Sequence, residues 1–147
     1  MKSGSDEFRK MGAGLYEREP INGTKTRSEK ESLFAFDLPS LVERIKDSPT
    51  WRKGELNAMV LFESQDNTII LAALHEETEL SSRQSGESLS LHVIEGELNF
   101  CCLEESVILN AGQMIVVHRR ADYSLMTRNE TVLLLNIAHE APILTEN

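Results

Sequence analysis

From residue 57 onward the chain is a succession of short runs rich in Val, Ile and Leu, each closed by turn residues: AMVLFES, TIILAAL, LSLHVI, ELNFCCL, SVIL, MIVV, YSLM and TVLLLNIA. The breaks fall at QDN, HEET, Glu95-Gly96, Glu104-Glu105, Asn110-Ala111-Gly112 and Arg128-Asn129-Glu130. Runs this short, with no helical period, predict eight or so strands packed as a sandwich or barrel. Gly96 and Gly112 stand where strands must reverse, and glycine takes a positive φ there without steric cost.

The stretch before the strands has a different texture. LFAFDLPSLVERIKDSP places Asp37 as a cap, Pro39 near the first turn and Leu41, Val42 and Ile45 at helical spacing, closed by Ser48-Pro49. One short helix is predicted, and WRKGELN connects it to the first strand. Residues 1–32 mix charge, Gly and Ser with only scattered apolar side chains, Phe8, Met11, Leu15, Tyr16 and Ile21, and read as a flexible arm. The expected organisation is therefore an arm at 1–32, a helix and connector at 33–56, a β domain at 57–140 and a tail at 141–147.

A chain of 147 residues with 40% hydrophobic content is one domain with a real core. Its charge is uneven: residues 1–33 hold seven Lys or Arg against six Asp or Glu, and residues 34–147 hold eight against eighteen. An acidic body repels phosphate backbones and anionic bilayers, which argues against nucleic-acid and membrane partners. No run approaches the length of a membrane span and no secretory signal is visible, so a soluble, cytoplasmic protein is expected. Cys101 and Cys102 are adjacent, and neighbouring strand residues point to opposite faces, so they are read as one small buried hydrophobe and one partly exposed thiol.

Three runs, LSLHVIEGELNF, VILNAGQMIVV and TVLLLNIA, carry a family resemblance. With VIEG, LNAG and LLLNIA in that order, the chain from about 57 to 138 resembles the small single-domain cupins of the RmlC-like superfamily. The resemblance implies an all-β double-stranded β-helix, a jelly-roll barrel, assembled as a homodimer. Metal-using cupins hold Mn, Fe, Zn or Ni with three His and one Glu. Their first motif is Gly, five residues, His-x-His, three or four residues, Glu, six residues, Gly. Their second is Gly, five residues, Pro-x-Gly, two residues, His. Anchored on Gly96, the first puts Arg83, Ser85 and Leu89 at ligand positions and Glu77 at the opening Gly; anchored on Gly112, the second puts His118, Arg120 and Tyr123 at Pro, Gly and His. Neither a guanidinium nor a hydrocarbon ligates these metals, so neither metal nor cofactor is expected.

In that frame Leu89, Leu91, Val93, Leu98, Phe100, Met114 and Val116 line an apolar interior, either a filled core or a pocket. The candidate cavity residues are Arg83, Ser85, Leu89, Leu91, Phe100 and Tyr123. Arg83 offers a fixed charge and five donors to an anion. His92, of opposite parity to Leu91 and Val93, faces outward. His75, beside Glu76, Glu77 and Glu79, marks an alternative metal cluster, while His118 and His139 have no partner identifiable by spacing. The leading expectation is a non-enzymatic, metal-free cupin that binds a small molecule or acts as a dimeric interaction or regulatory module. The alternative is a metal-independent isomerase or epimerase working on a small anionic substrate, with no catalytic residue assigned.

Overall fold

The structure is a computed structural model that describes residues 32–54, 56–82, 87–118 and 122–139. The tail assigned to 141–147 and, apart from Ser32, the arm assigned to 1–32 lie outside the described residues.

Among the described residues the first helix, α1, runs Leu38–Lys46 with Pro39 in its opening turn, and it buries the predicted stripe of Leu41, Val42 and Ile45. Asp37 occupies the N-cap position without a side-chain cap bond. Its carboxylate instead accepts from the Ser40 hydroxyl at 2.8 Å. Arg44 and Lys46 fill the last turn, where cations suit the helix dipole. Lys46 also reaches across to Glu95 at 2.9 Å, joining the helix to the sheet.

The expected connector contains a second helical turn, α2, Pro49–Arg52, capped by the Ser48 hydroxyl, which accepts from Trp51 N at 3.2 Å. The same hydroxyl accepts from Asn57 Nδ2 at 2.7 Å, which locks the turn to the first strand. The turn buries Trp51.

Nine strands follow among the described residues: β1 Asn57–Glu63, β2 Asn67–Leu74, β3 Glu79–Ser82, β4 Ser88–Glu95, β5 Glu97–Cys102, β6 Glu105–Asn110, β7 Met114–Val117, β8 Tyr123–Thr127 and β9 Thr131–Ala138. The eight expected runs all form strands, and β3 is the addition. Its ELSS sequence has too few apolar residues to signal a strand, yet it pairs with β8 from Glu79↔Met126 to Ser82↔Tyr123. The strands form two antiparallel sheets, β1-β2-β9-β4-β7 and β3-β8-β5-β6. The chain changes sheet at every connection except β1–β2 and β5–β6. The two sheets lie face to face and do not close into a barrel, which refines the expected jelly-roll barrel to a jelly roll with open flanks.

Alternation decides the core. Ile70, Ala72 and Leu74 of β2, Leu89, Leu91 and Val93 of β4, and Leu133, Leu135 and Ile137 of β9 meet Leu98, Phe100 and Leu125 of the smaller sheet. The opposite face of β1, β2 and β9, with Met59, Leu61, Leu71, Ala73 and Val132, packs under Leu41, Val42, Ile45 and Trp51 of the helices.

Two expectations about the interior need correction. Met114 and Val116 are 57% and 62% exposed. Register explains this: the inward Leu89 and Leu91 pair with Val117 and Ile115, so it is the odd-numbered residues of β7 that face the core. The two cysteines are both half-buried; Cys102 packs on the core and neither is fully enclosed.

Gly96 and Gly112 both adopt positive φ, 93° and 88°. They differ in surroundings. A Cβ on Gly96 would lie 2.3 Å from the Glu130 carbonyl oxygen, whereas one on Gly112 meets nothing within 4 Å. Gly112→Ala is therefore expected to cost about 1 kcal/mol, from backbone strain alone. Gly96→Ala should cost at least about 3 kcal/mol, since backbone must also move. Urea denaturation of both variants checks the ranking.

Candidate functional site

At one end of the roll β2 and β4 begin, β7 and β9 finish, and β3 and β8 meet at Ser82 and Tyr123. Among the described residues this rim brings together Glu87, His118, Tyr123 and His139. Of the six candidate cavity residues, Arg83 and Ser85 lie outside the described residues. Leu89, Leu91 and Phe100 are buried members of the central apolar cluster, with Leu89 only 4% exposed. Tyr123 is half-buried at the rim and stacks on Phe100, ring centroids 5.3 Å apart and planes 19° from parallel. Leu89 pairs with Val117 and Ile137, so the residue that the resemblance aligns with a carboxylate ligand makes hydrocarbon contacts in the core.

Tyr123 also borders an open groove of about 400 Å³ at the end of β3, β8 and β5. Its walls carry the hydroxyls of Ser81, Ser82 and Ser124, the thiol of Cys101, the carboxylate of Asp122 and the exposed side chain of Leu103. The lining mixes hydrogen-bonding groups with an aromatic ring and an aliphatic tip, a surface suited to a small amphipathic molecule.

The same rim holds an arrangement that residue spacing does not reveal. His139 Nδ1 lies 2.9 Å from Glu87 Oε2, and its Nε2 lies 2.8 Å from Thr68 Oγ1. An ionised carboxylate only accepts, so Nδ1 donates to Glu87, and in the neutral imidazole Nε2 accepts from the threonine hydroxyl. The His139 amide donates to the Asp66 carbonyl at 2.9 Å and extends the β2–β9 ladder. Thr68 shares its face with Ile70 and Ala72, so the relay lies on the inner face and caps the core. His118 Nδ1 lies 3.3 Å from the Ser88 hydroxyl on the outer side of the rim. Glu87 is two residues before the inward Leu89 and His139 two after the inward Ile137, so parity is the signal that points to both. Pairing them needs the β4–β9 register.

His75 has a structural role. Its ring stacks on Trp51 at 3.5 Å and 16°, and its Nε2 donates to the Trp51 carbonyl at 3.0 Å. The His75 carbonyl accepts from the Thr78 and Thr127 hydroxyls, both at 2.7 Å. The HEET segment is thus a tied turn, with Glu77 at a φ of 62°. Among the described residues no three His, Cys, Asp or Glu side chains are grouped to hold a metal ion. His92, on the outer face of β4, pairs with Met114 and Leu134 as its parity requires. No helix among the described residues is long and apolar enough to cross a membrane.

No protein-family model and no curated protein matches the chain. Solved structures do match. A cupin superfamily protein from Desulfitobacterium hafniense gives a TM-score of 0.59 at 14% identity, over 78% of this chain and 100% of that one. An RmlC-like cupin from Shewanella frigidimarina gives 0.55 at 17% identity, over 59% of this chain and 78% of that one. A conserved protein of unknown function from Streptococcus pyogenes gives 0.58 at 17% identity, over 82% of this chain and 100% of that one. This likeness establishes the fold: the chain is a small cupin-fold protein.

If the rim relay acts as a unit, Glu87→Ala and His139→Ala should each destabilise the protein by about 1–3 kcal/mol. The double variant should fall short of their sum by at least about 0.5 kcal/mol. Urea titrations of the four proteins in the cycle measure that coupling.

Proposed function

We propose that this chain is a non-enzymatic, metal-free cupin that works as a binding or dimeric interaction module, cytoplasmic and without nucleic-acid or membrane partners. The observation that carries the reading is Leu89. The position that would supply an anionic oxygen is buried among Leu91, Phe100 and Ile137. A divalent ion placed there would meet hydrocarbon where it needs a donor at about 2.0–2.2 Å. Tyr123, the fourth position, has its ring committed to Phe100. The small-molecule side of the reading rests on the open groove beside Tyr123, since the centre of the roll is a packed apolar cluster among the described residues. The acidic body supports the exclusion of nucleic acid.

Elemental analysis of the purified full chain after exhaustive dialysis is the test. The expected outcome is far less than one equivalent of Mn, Fe, Ni or Zn per chain. A stoichiometric metal that survives dialysis would reject the reading.

A metal-independent isomerase or epimerase acting on a small anionic substrate is the second reading, favoured by the carboxylate–imidazole pair of Glu87 and His139 on the inner face. Against it, the His139 Nε2 that would abstract a proton already faces the Thr68 hydroxyl, and Thr68 is buried. Incubating the protein in D2O with a panel of hydroxy and keto acids separates the two readings. The leading one expects no deuterium at carbon. Incorporation that His139→Asn abolishes would transfer the case to the isomerase.

A further inference from the structure

Leu103 stands where neither the backbone nor the core has a use for it. It opens the short turn between Cys102, the end of β5, and Glu105, the start of β6, and its φ is 58°. The first residue of such a turn is normally glycine, asparagine or aspartate, because a larger side chain crowds the backbone in the left-handed region. Among the described residues Glu77 is the only other non-glycine with positive φ, and its turn is tied down by the Glu77 amide, which donates to the Thr127 carbonyl at 2.9 Å. The Leu103 side chain, by contrast, is 82% exposed and belongs to neither apolar cluster. Folding gains nothing from a leucine here, and glycine would suit the turn better.

What Leu103 does border is the open groove of about 400 Å³ beside Tyr123. Ser81, Ser124 and Cys101 stand opposite one another across β3, β8 and β5, in a row whose parity is opposite to that of the inward Phe100 and Leu125. Ser82, 2% exposed, and half-buried Tyr123 form the next row toward the rim. From β3 to β5 is two inter-strand steps, about 10 Å, with serine hydroxyls on β3 and β8 and Leu103 following β5. We propose that this groove binds an uncharged alcohol or polyol with an aliphatic tail, its hydroxyls on Ser81, Ser82 and Ser124 and its tail on Leu103. Serine hydroxyls both donate and accept, so they match a ligand hydroxyl in either role. Among the described lining residues Asp122 is the one that carries a charge. It repels an anionic head group, and it already interacts within the protein, so the groups left for a ligand are neutral. The proposal rests on the small-molecule side of the reading above and names its ligand class.

Amide NMR titrations of the full chain with octylglycerol, octanoate and octylamine, which share one tail and differ in head-group charge, test it below their micellar concentrations. The expected result is saturable shifts with octylglycerol, centred on Ser81, Cys101, Leu103 and Ser124, and affinities at least about tenfold weaker for the two charged probes. Leu103→Gly should weaken octylglycerol binding by about tenfold or more, as loss of one aliphatic contact does. The same variant should raise the urea midpoint, because it relieves the turn. Ser124→Ala should weaken binding by about fivefold. Val116→Ser, an exposed position on β7 away from the groove, should bind as the parent does. Absence of saturable binding by octylglycerol would overturn the proposal, as would tighter binding of either charged probe or shifts centred elsewhere. A Leu103→Gly variant that binds like the parent, or that is less stable than it, would do the same. None of these failures touches the metal-free reading, which metal content judges separately.

Discussion

Two-sided burial of the β2–β9 pair is the constraint on which the other features depend. One face of these strands forms the floor of the roll and the other seats α1 and α2, so both accept almost only apolar side chains. Their ladder runs without interruption from Asn67↔Ala138 to Leu74↔Thr131. A one-residue slip would exchange two apolar sets of different shape, and the helices would lose their seat. The rim relay inherits its position from the same ladder, because His139 and Thr68 are neighbours only in this register.

The features legible in the sequence are those that need local rules only. The turn at Gly96 is marked by its glycine, and the run TVLLLNIA by its apolar continuity, which suits a strand buried on both faces. The Leu41, Val42 and Ile45 stripe is visible because its helical period stands alone. Features that depend on cross-strand register were hidden. Met114 and Val116 look like core residues until Leu89↔Val117 fixes which parity faces inward. β3 is invisible because its ELSS sequence is a strand only by virtue of β8 beside it. Ser48 caps α2 and binds Asn57 at once, a double role that no local pattern announces.

The candidate site divides in the same way. The sequence resemblance singled out Leu89 and Tyr123; Leu89 is buried in the apolar cluster and Tyr123 stacks on Phe100. Arg83 and Ser85 belong to the frame but lie outside the described residues. The Glu87–His139 pair is separated by fifty-two residues and becomes a contact only after the chain has crossed between sheets several times. Among the described residues the centre of the roll is an apolar cluster, and a polar groove lies at one end.

Trp51 is the single tryptophan of the chain, and it lies face to face with the imidazole of His75 between the helical layer and the larger sheet. Its indole emission is therefore a built-in optical probe of one junction. It reports whether the helices are seated on the sheet, independently of whether the two sheets remain closed on each other.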